Sequence, residues 1–429
     1  MKLKALTLAC GMFAAFIPQL AAQMAAANYD EAKVPAYNLP DPLMGADGTR
    51  VTNASVWQEK RRPELLRVFE KEVYGRAPER PSGMRFERVS VVTNALSGRA
   101  TRKEITVWFT GKTDGPKLSL LLYTPNAAKH PVPAFLGLNF NGNHAVTTEP
   151  DVRLSDRWMV GARSDCIVSN RATTACRGIE AARWPIEKIL AHGYALATVY
   201  YGDLEPDFAT GWTNGVRAAL SAAGTNTVFR PDDWGAIAAW AWGLSRALDY
   251  LEMDPAVDAR RVAVLGHSRL GKTSLWAGAR DERFAIVISN NSGEGGAALA
   301  RRRWGERTAH LIQNFPHWFC GNFKKYSEHE DELPVDQHEL IALIAPRPVY
   351  VASATKDRWA DPRGEFLSAK NAEPVYQLFG VPGLGVDDQP APDQPVGAFI
   401  GYHLRTGEHD TTDYDWEQYL KFADRHFHR

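Results

Sequence analysis

The chain has 429 residues, 45% of them apolar, far above the size at which burial of a core is marginal. Lysine plus arginine and aspartate plus glutamate number 50 each, a neutral balance that argues against nucleic acid or an anionic membrane surface as the main partner. Thirteen tryptophans and fourteen tyrosines read first as core aromatics, and second as flat rings of the kind that stack on sugar faces.

In chain order, "MKLKALTLACGMFAAFIPQLAAQMAAAN" opens with Lys2 and Lys4, an apolar stretch from Ala5 to Ile17, Pro18, and a small-residue cleavage site at Ala25-Ala26-Ala27 before Asn28. This predicts a secretory signal over residues 1–27, too short to span a membrane. Cys10 precedes completion of the apolar stretch, so simple secretion is expected rather than a lipoprotein anchor. No later run reaches about 18 apolar residues, so the mature chain is expected to be soluble, secreted or periplasmic, with no membrane partner. Residues 28–429 are expected to form one domain, monomeric by default.

Residues 28–60, rich in Pro, Asp, Asn and Gly, read as an extended arm, and 57–75 has helical periodicity. The alternating segments 85–94, 103–110 and 117–125 read as antiparallel strands at one sheet edge. The pattern then becomes strand, loop, helix. Segment 133–140 is a buried strand, 187–203 a helix end followed by a strand, and 234–252 an amphipathic helix. Strands follow at 261–268, 284–293 and 347–357, and 413–427 closes the chain as a helix. Alternating strands and helices predict a mostly parallel sheet covered on both faces. With three antiparallel strands in front, this is the pattern of an α/β hydrolase. The loops 141–180 and 203–232 are long enough to build a site.

After the signal three cysteines remain: Cys166 and Cys176, which flank a short loop and are the expected disulfide pair, and Cys320, expected as a buried free thiol. There is no CxxC or HExxH spacing and the histidines are scattered, so neither metal nor cofactor is expected.

The chemistry concentrates in "VAVLGHSRLGKTSLWAG", residues 262–278. A strand, a sharp turn and a helix present the Ser268 hydroxyl at the carboxyl end of the sheet, as a nucleophile elbow does. Gly266 sits two residues before the serine, but Leu270 follows two after it and Gly271 comes one later, so this is not a strict GxSxG. A serine nucleophile needs a base oriented by an acid, in the order Ser, acid, His. Asp357, just past a strand end, is the expected acid, with Asp361 and Glu365 as rivals further from the strand. His409, in the loop before the last helix, is the expected base, and His403, on a strand, reads as structural. The backbone N–H of Arg269 is the expected oxyanion donor, with its guanidinium adding charge toward the same oxygen. Lys272, one helical turn beyond Ser268, suits a polar, hydroxyl-bearing acyl group.

At these residues the sequence resembles the bacterial branch of carbohydrate esterase family 15, the glucuronoyl esterases. "GHSRLGK", "SNNSGEGGAALARRRWGE", "KDRWADP" and "RTGEHDTTDYDWEQYLKFAD" carry the resemblance, which covers nearly all of the mature chain. It implies an α/β-hydrolase that cleaves the ester between (4-O-methyl)glucuronic acid of glucuronoxylan and lignin alcohols. It also implies that Lys272 and Glu306 hold sugar hydroxyls while Trp359 packs near the uronate. Fungal members carry their acid after the strand that follows the elbow, where Asn291 stands here. That departure favours Asp357 and leaves Glu294 as the alternative acid. Two other readings stay open: an acetyl xylan esterase or other secreted serine carboxylesterase, and a carbohydrate-binding protein that has lost catalysis.

Overall fold

The computed structural model describes residues 27–161 and 164–427. The expected signal, apart from Ala27, lies outside them. The arm ends sooner than expected: a helix starts at Ala54–Val56, passes through a π turn at Trp57–Arg61 and ends with Arg62–Glu72. Asn53 caps it by accepting from Val56 N at 3.0 Å, so the helix begins three residues before the periodicity at 57 placed it.

Ten strands form one sheet in the order β1-β2-β3-β7-β4-β8-β9-β10-β12-β11. The edge strands β1 (Arg85–Asn94), β2 (Ala100–Trp108) and β3 (Lys117–Pro125) are antiparallel, as expected. Strand β4 (Val132–Asn139) pairs in parallel with both β7 (Ala195–Tyr200) and β8 (Val257–His267). Beyond them lie β9 (Ile286–Asn290), β10 (Val349–Ala354) and β12 (Ile400–Arg405), all parallel, then the two-residue β11 (Val396–Gly397), antiparallel to β12. A separate hairpin, β5 (Ile167–Val168) with β6 (Arg171–Ala172), sits inside the long 141–180 loop. The Cys166–Cys176 disulfide closes the short segment that carries this hairpin, and Cys320 is a buried thiol.

Alternating side chains feed two cores, one on each face of the sheet: Val262 and Val264 enter the larger, Ala263 and Leu265 the smaller. The helix Ala236–Leu251 departs from the amphipathic expectation, because all its residues are buried. Arg246 Nε donates to Asp249 at 2.7 Å within the helix, and Asp249 also accepts from Arg283 Nη1 at 2.8 Å. No helix among the described residues is long and apolar enough to cross a membrane.

The topology also fixes where chemistry can occur. From β4 the chain moves to β7 on one side, then returns to β8 on the other and continues outward to β9, β10 and β12. Loops leaving β4 and β8 therefore diverge and open a crevice at the carboxyl ends of these strands.

Candidate active site

Ser268 follows β8 directly, at the mouth of that crevice. Its φ of 59° and ψ of −129° lie in a region costly for a side-chain-bearing residue, and the strain is held by the surrounding backbone. Ser268 N donates to Asn290 O at 2.8 Å, and Ser268 O accepts from Gly271 N at 2.8 Å and Lys272 N at 3.2 Å, starting the helix Arg269–Arg280. A Cβ on Gly266 would stand 1.8 Å from Leu270 O, so the turn closes only on a glycine. The Arg269 N–H opens the helix, in the turn whose amides lack intrahelical acceptors.

Asp357 and His409 arrive from neighbouring strands. In the parallel β10–β12 pair Ala354 stands opposite Arg405, and each partner of the dyad lies a few residues beyond its strand end. Backbone bonds stitch the two loops together, Thr355 N to Arg405 O and Lys356 N to Gly407 O, both at 2.9 Å. The buried Arg405 side chain braces the histidine loop by donating to Glu408 O at 2.8 Å and Asp410 O at 3.0 Å. The result is a 2.6 Å hydrogen bond between His409 Nδ1 and Asp357 Oδ2, with the carboxylate side chain 5% exposed and the imidazole 42% exposed. The same Asp357 oxygen accepts from Asn291 Nδ2 at 2.8 Å. The His409 ring lies 4.5 Å, centroid to centroid, from His267, the residue just before the serine. Burial, followed by the nearby charges of His409 and Arg183, holds His267 well below the usual imidazole range, so it stays neutral beside the dyad.

The rivals have other occupations. Asp361 caps the helix Pro362–Asn371 and accepts from Arg302 Nε at 2.8 Å. Glu365 accepts from Ser292 N, Gly293 N and the Ser353 hydroxyl. Glu294, the alternative acid, is not brought to His409: its carboxyl accepts from the Thr308 hydroxyl at 2.7 Å, and burial pushes its pKa well above the ordinary value. His403 is fully buried between the Tyr350 hydroxyl and Asp415, which in turn accepts from Thr412 N ahead of the last helix.

Lys272 is also buried, and its three donors are engaged: Ser292 O at 2.5 Å, Glu294 O at 2.7 Å and Glu306 Oε2 at 3.3 Å. Glu306 and Trp359 are drawn together by the Glu306 N to Trp359 O bond at 2.9 Å. The intervening approach requires Gly305, where a Cβ would meet Trp359 O at 2.5 Å. Trp359 is half-buried with its ring 5.1 Å from His310.

Sequence reasoning missed the surroundings of the Arg269 side chain. The guanidinium pairs with Asp207 and lies over Trp318 at 4.7 Å, with Phe315 at 5.4 Å and Phe140 at 6.0 Å. Asp207 sits in the irregular 203–232 loop, which carries neither periodicity nor motif to single it out. Among the described residues no group of three or more His, Cys, Asp or Glu is placed to hold a metal ion.

A mostly parallel sheet with a serine elbow at its crevice and a His–Asp pair from the following strand ends defines an α/β-hydrolase. A family model described as glucuronyl esterase, fungi, matches residues 224–380. The carbohydrate esterase MZ0003 of an unknown prokaryotic organism is 50% identical over 409 residues, 95% of this chain and 94% of that protein. A solved glucuronoyl esterase from Solibacter usitatus is 54% identical, with a TM-score of 0.88 over 92% of this chain and 100% of that one. The 4-O-methyl-glucuronoyl methylesterase of Phanerochaete carnosa is 37% identical over 156 residues, 34% of this chain and 38% of that protein. The chain belongs to the glucuronoyl esterases of carbohydrate esterase family 15, and it is a carboxylic ester hydrolase.

Proposed function

We propose that the enzyme hydrolyses the ester joining (4-O-methyl)glucuronic acid of glucuronoxylan to lignin alcohols, through a Ser268–His409–Asp357 triad. The observation that carries the reading is the 2.6 Å His409–Asp357 bond, formed at adjacent strand ends beside the Ser268 elbow. Asp357 fixes the His409 tautomer with Nδ1 protonated, leaving Nε2 to accept the Ser268 proton. The serine oxygen attacks the uronate carbonyl, and the oxyanion is met by the Arg269 N–H and guanidinium. Collapse expels the alcohol, which takes the proton from His409. Water, deprotonated by His409, then attacks the glucuronoyl-enzyme, releasing the glucuronate and returning the proton to Ser268.

The sugar side of the cleft supports a uronate rather than an acetyl group. Lys272 and Glu306 form a charged pair whose 3.3 Å separation is the longest of the three Lys272 contacts. A sugar hydroxyl bridging them accepts from the ammonium and donates to the carboxylate. Trp359 offers its ring beside them. The signal over residues 1–27 belongs to this reading, delivering the mature enzyme to plant cell wall outside the cytoplasm.

The test is hydrolysis of benzyl glucuronate by the parent enzyme and by Ser268→Ala, with p-nitrophenyl acetate in parallel. Turnover of the uronate ester, lost in the variant, is expected. Fast acetate cleavage without uronate cleavage would instead leave a general or acetyl xylan esterase.

A further inference from the structure

The Arg269 guanidinium belongs to the residue directly after the nucleophile, and it pairs with a residue far away in sequence. Asp207, with its side chain 2% exposed, pairs with Arg269 Nη1. Its Oδ1 accepts from Trp318 Nε1 at 2.7 Å and His317 Nε2 at 2.9 Å, and its Oδ2 accepts from the Tyr201 hydroxyl at 3.2 Å. Burial alone would raise this carboxyl, but the His317 hydrogen bond, the Arg269 charge and the Trp318 N–H outweigh it and keep it ionised, well below the usual carboxylate range. The rings of Trp318, Phe315 and Phe140 also lie against the guanidinium, at 4.7, 5.4 and 6.0 Å to their centroids.

The geometry points to Asp207 as a positioning residue that holds the Arg269 side chain against the cleft before substrate arrives, so that its charge meets the developing oxyanion without reorganisation. Arginine carries a large rotamer entropy, and an unclamped side chain would lose it in the transition state rather than on folding. Misplacement of about 1 Å at such a group costs on the order of a hundredfold in rate. The proposal rests on the reading of Arg269 as an oxyanion stabiliser. It assigns a reason for the long loop after β7: that loop delivers the clamp.

The experiment is a double-mutant cycle with benzyl glucuronate, comparing the parent, Asp207→Asn, Arg269→Ala and the double variant, with thermal melting of each. Asparagine keeps an oxygen for His317 and Trp318 but turns an amide donor toward Arg269. Asp207→Asn is expected to lower kcat by about tenfold to a hundredfold with KM little changed. In the Arg269→Ala background the same substitution is expected to cost nothing further. Equal losses in both backgrounds, or unchanged kcat in Asp207→Asn, would overturn the proposal. Retention of parental kcat by Arg269→Ala would overturn the reading of Arg269 beneath it, and with it the clamp. Trp318→Phe keeps an aromatic face and removes one donor to Asp207. Should Asp207→Asn fail to fold, Trp318→Phe takes its place, with a smaller kcat loss expected only where Arg269 is present.

Discussion

At Asp357, one carboxylate oxygen takes both the His409 and the Asn291 hydrogen bonds, at 2.6 and 2.8 Å. Asp357, past the end of β10, is thus the carboxylate paired with His409, while Asn291, past the end of β9, is a neutral donor to the same oxygen. The backbone assists, since Asn291 takes a φ of 48°, a region Asn tolerates better than most residues, and its N–H donates to Ala352 O at 2.7 Å. Asp357→Asn is expected to lower kcat by roughly a hundredfold to ten-thousandfold, because a neutral amide neither selects the right His409 tautomer nor stabilises the imidazolium. Glu294→Gln is expected to change kcat by less than about threefold, because its carboxyl faces Thr308 and not the dyad. Steady-state kinetics at pH 7 on both variants separates the two acids. The pairing of Asp357 with His409 was legible in the sequence from the place of each past a strand end. The amide partner of Asp357 was legible only as a departure from the expected pattern.

At the scale of the element, the elbow explains its own irregular motif. Leu270 occupies the position a strict GxSxG would give to glycine, and it is buried in the larger core. The close approach instead falls at Gly271, where a Cβ would meet Ser292 Cβ at 3.0 Å and Asn290 O at 3.1 Å. Gly266 is far tighter, with Leu270 O at 1.8 Å and Leu270 C at 2.2 Å, both backbone atoms. Gly271→Ala is therefore expected to destabilise by about 1–3 kcal/mol, in the range of ordinary overpacking. Gly266→Ala is expected to cost more or to prevent folding, since only backbone movement relieves it. Urea unfolding of the two variants ranks them. The motif showed which residues turn the chain; which glycine was indispensable depended on how closely the helix returns to the strand.

Across the whole molecule, several carboxyls are buried without a full complement of charge. Burial pushes Glu365 up to about 8, despite hydrogen bonds from Ser353, Gly293 and Ser292, and pushes Glu339 to about 8 against the opposing Arg61 charge. For both, the native state holds a proton that the unfolded chain releases near its ordinary value of 4.5. Between that value and about 8 the native state binds more protons, so stability falls as pH rises through this window and levels off above it. Chemical denaturation from pH 5 to pH 9 is expected to show this decline, and Glu365→Gln to make it shallower. A slope unchanged in Glu365→Gln would mean that Glu365 does not hold its proton in the native state.

The sequence alone determined the alternation of strands and helices, the serine elbow and the position of an acid and a histidine after later strands, but not the helix Pro362–Asn371 between them. These are local properties: periodicity, turn chemistry and chain order act within a few residues. The disulfide pair was also readable, because a short spacing brings its cysteines together. Tertiary structure decided what distant segments do to one another. It made the helix Ala236–Leu251 buried on every side, engaged all three Lys272 donors, left Glu294 to Thr308, and brought Asp207 to Arg269 from 62 residues away. Each of these depends on which surfaces the sheet order brings into contact. That order follows from burying two apolar faces at once, so no single stretch of sequence encodes it.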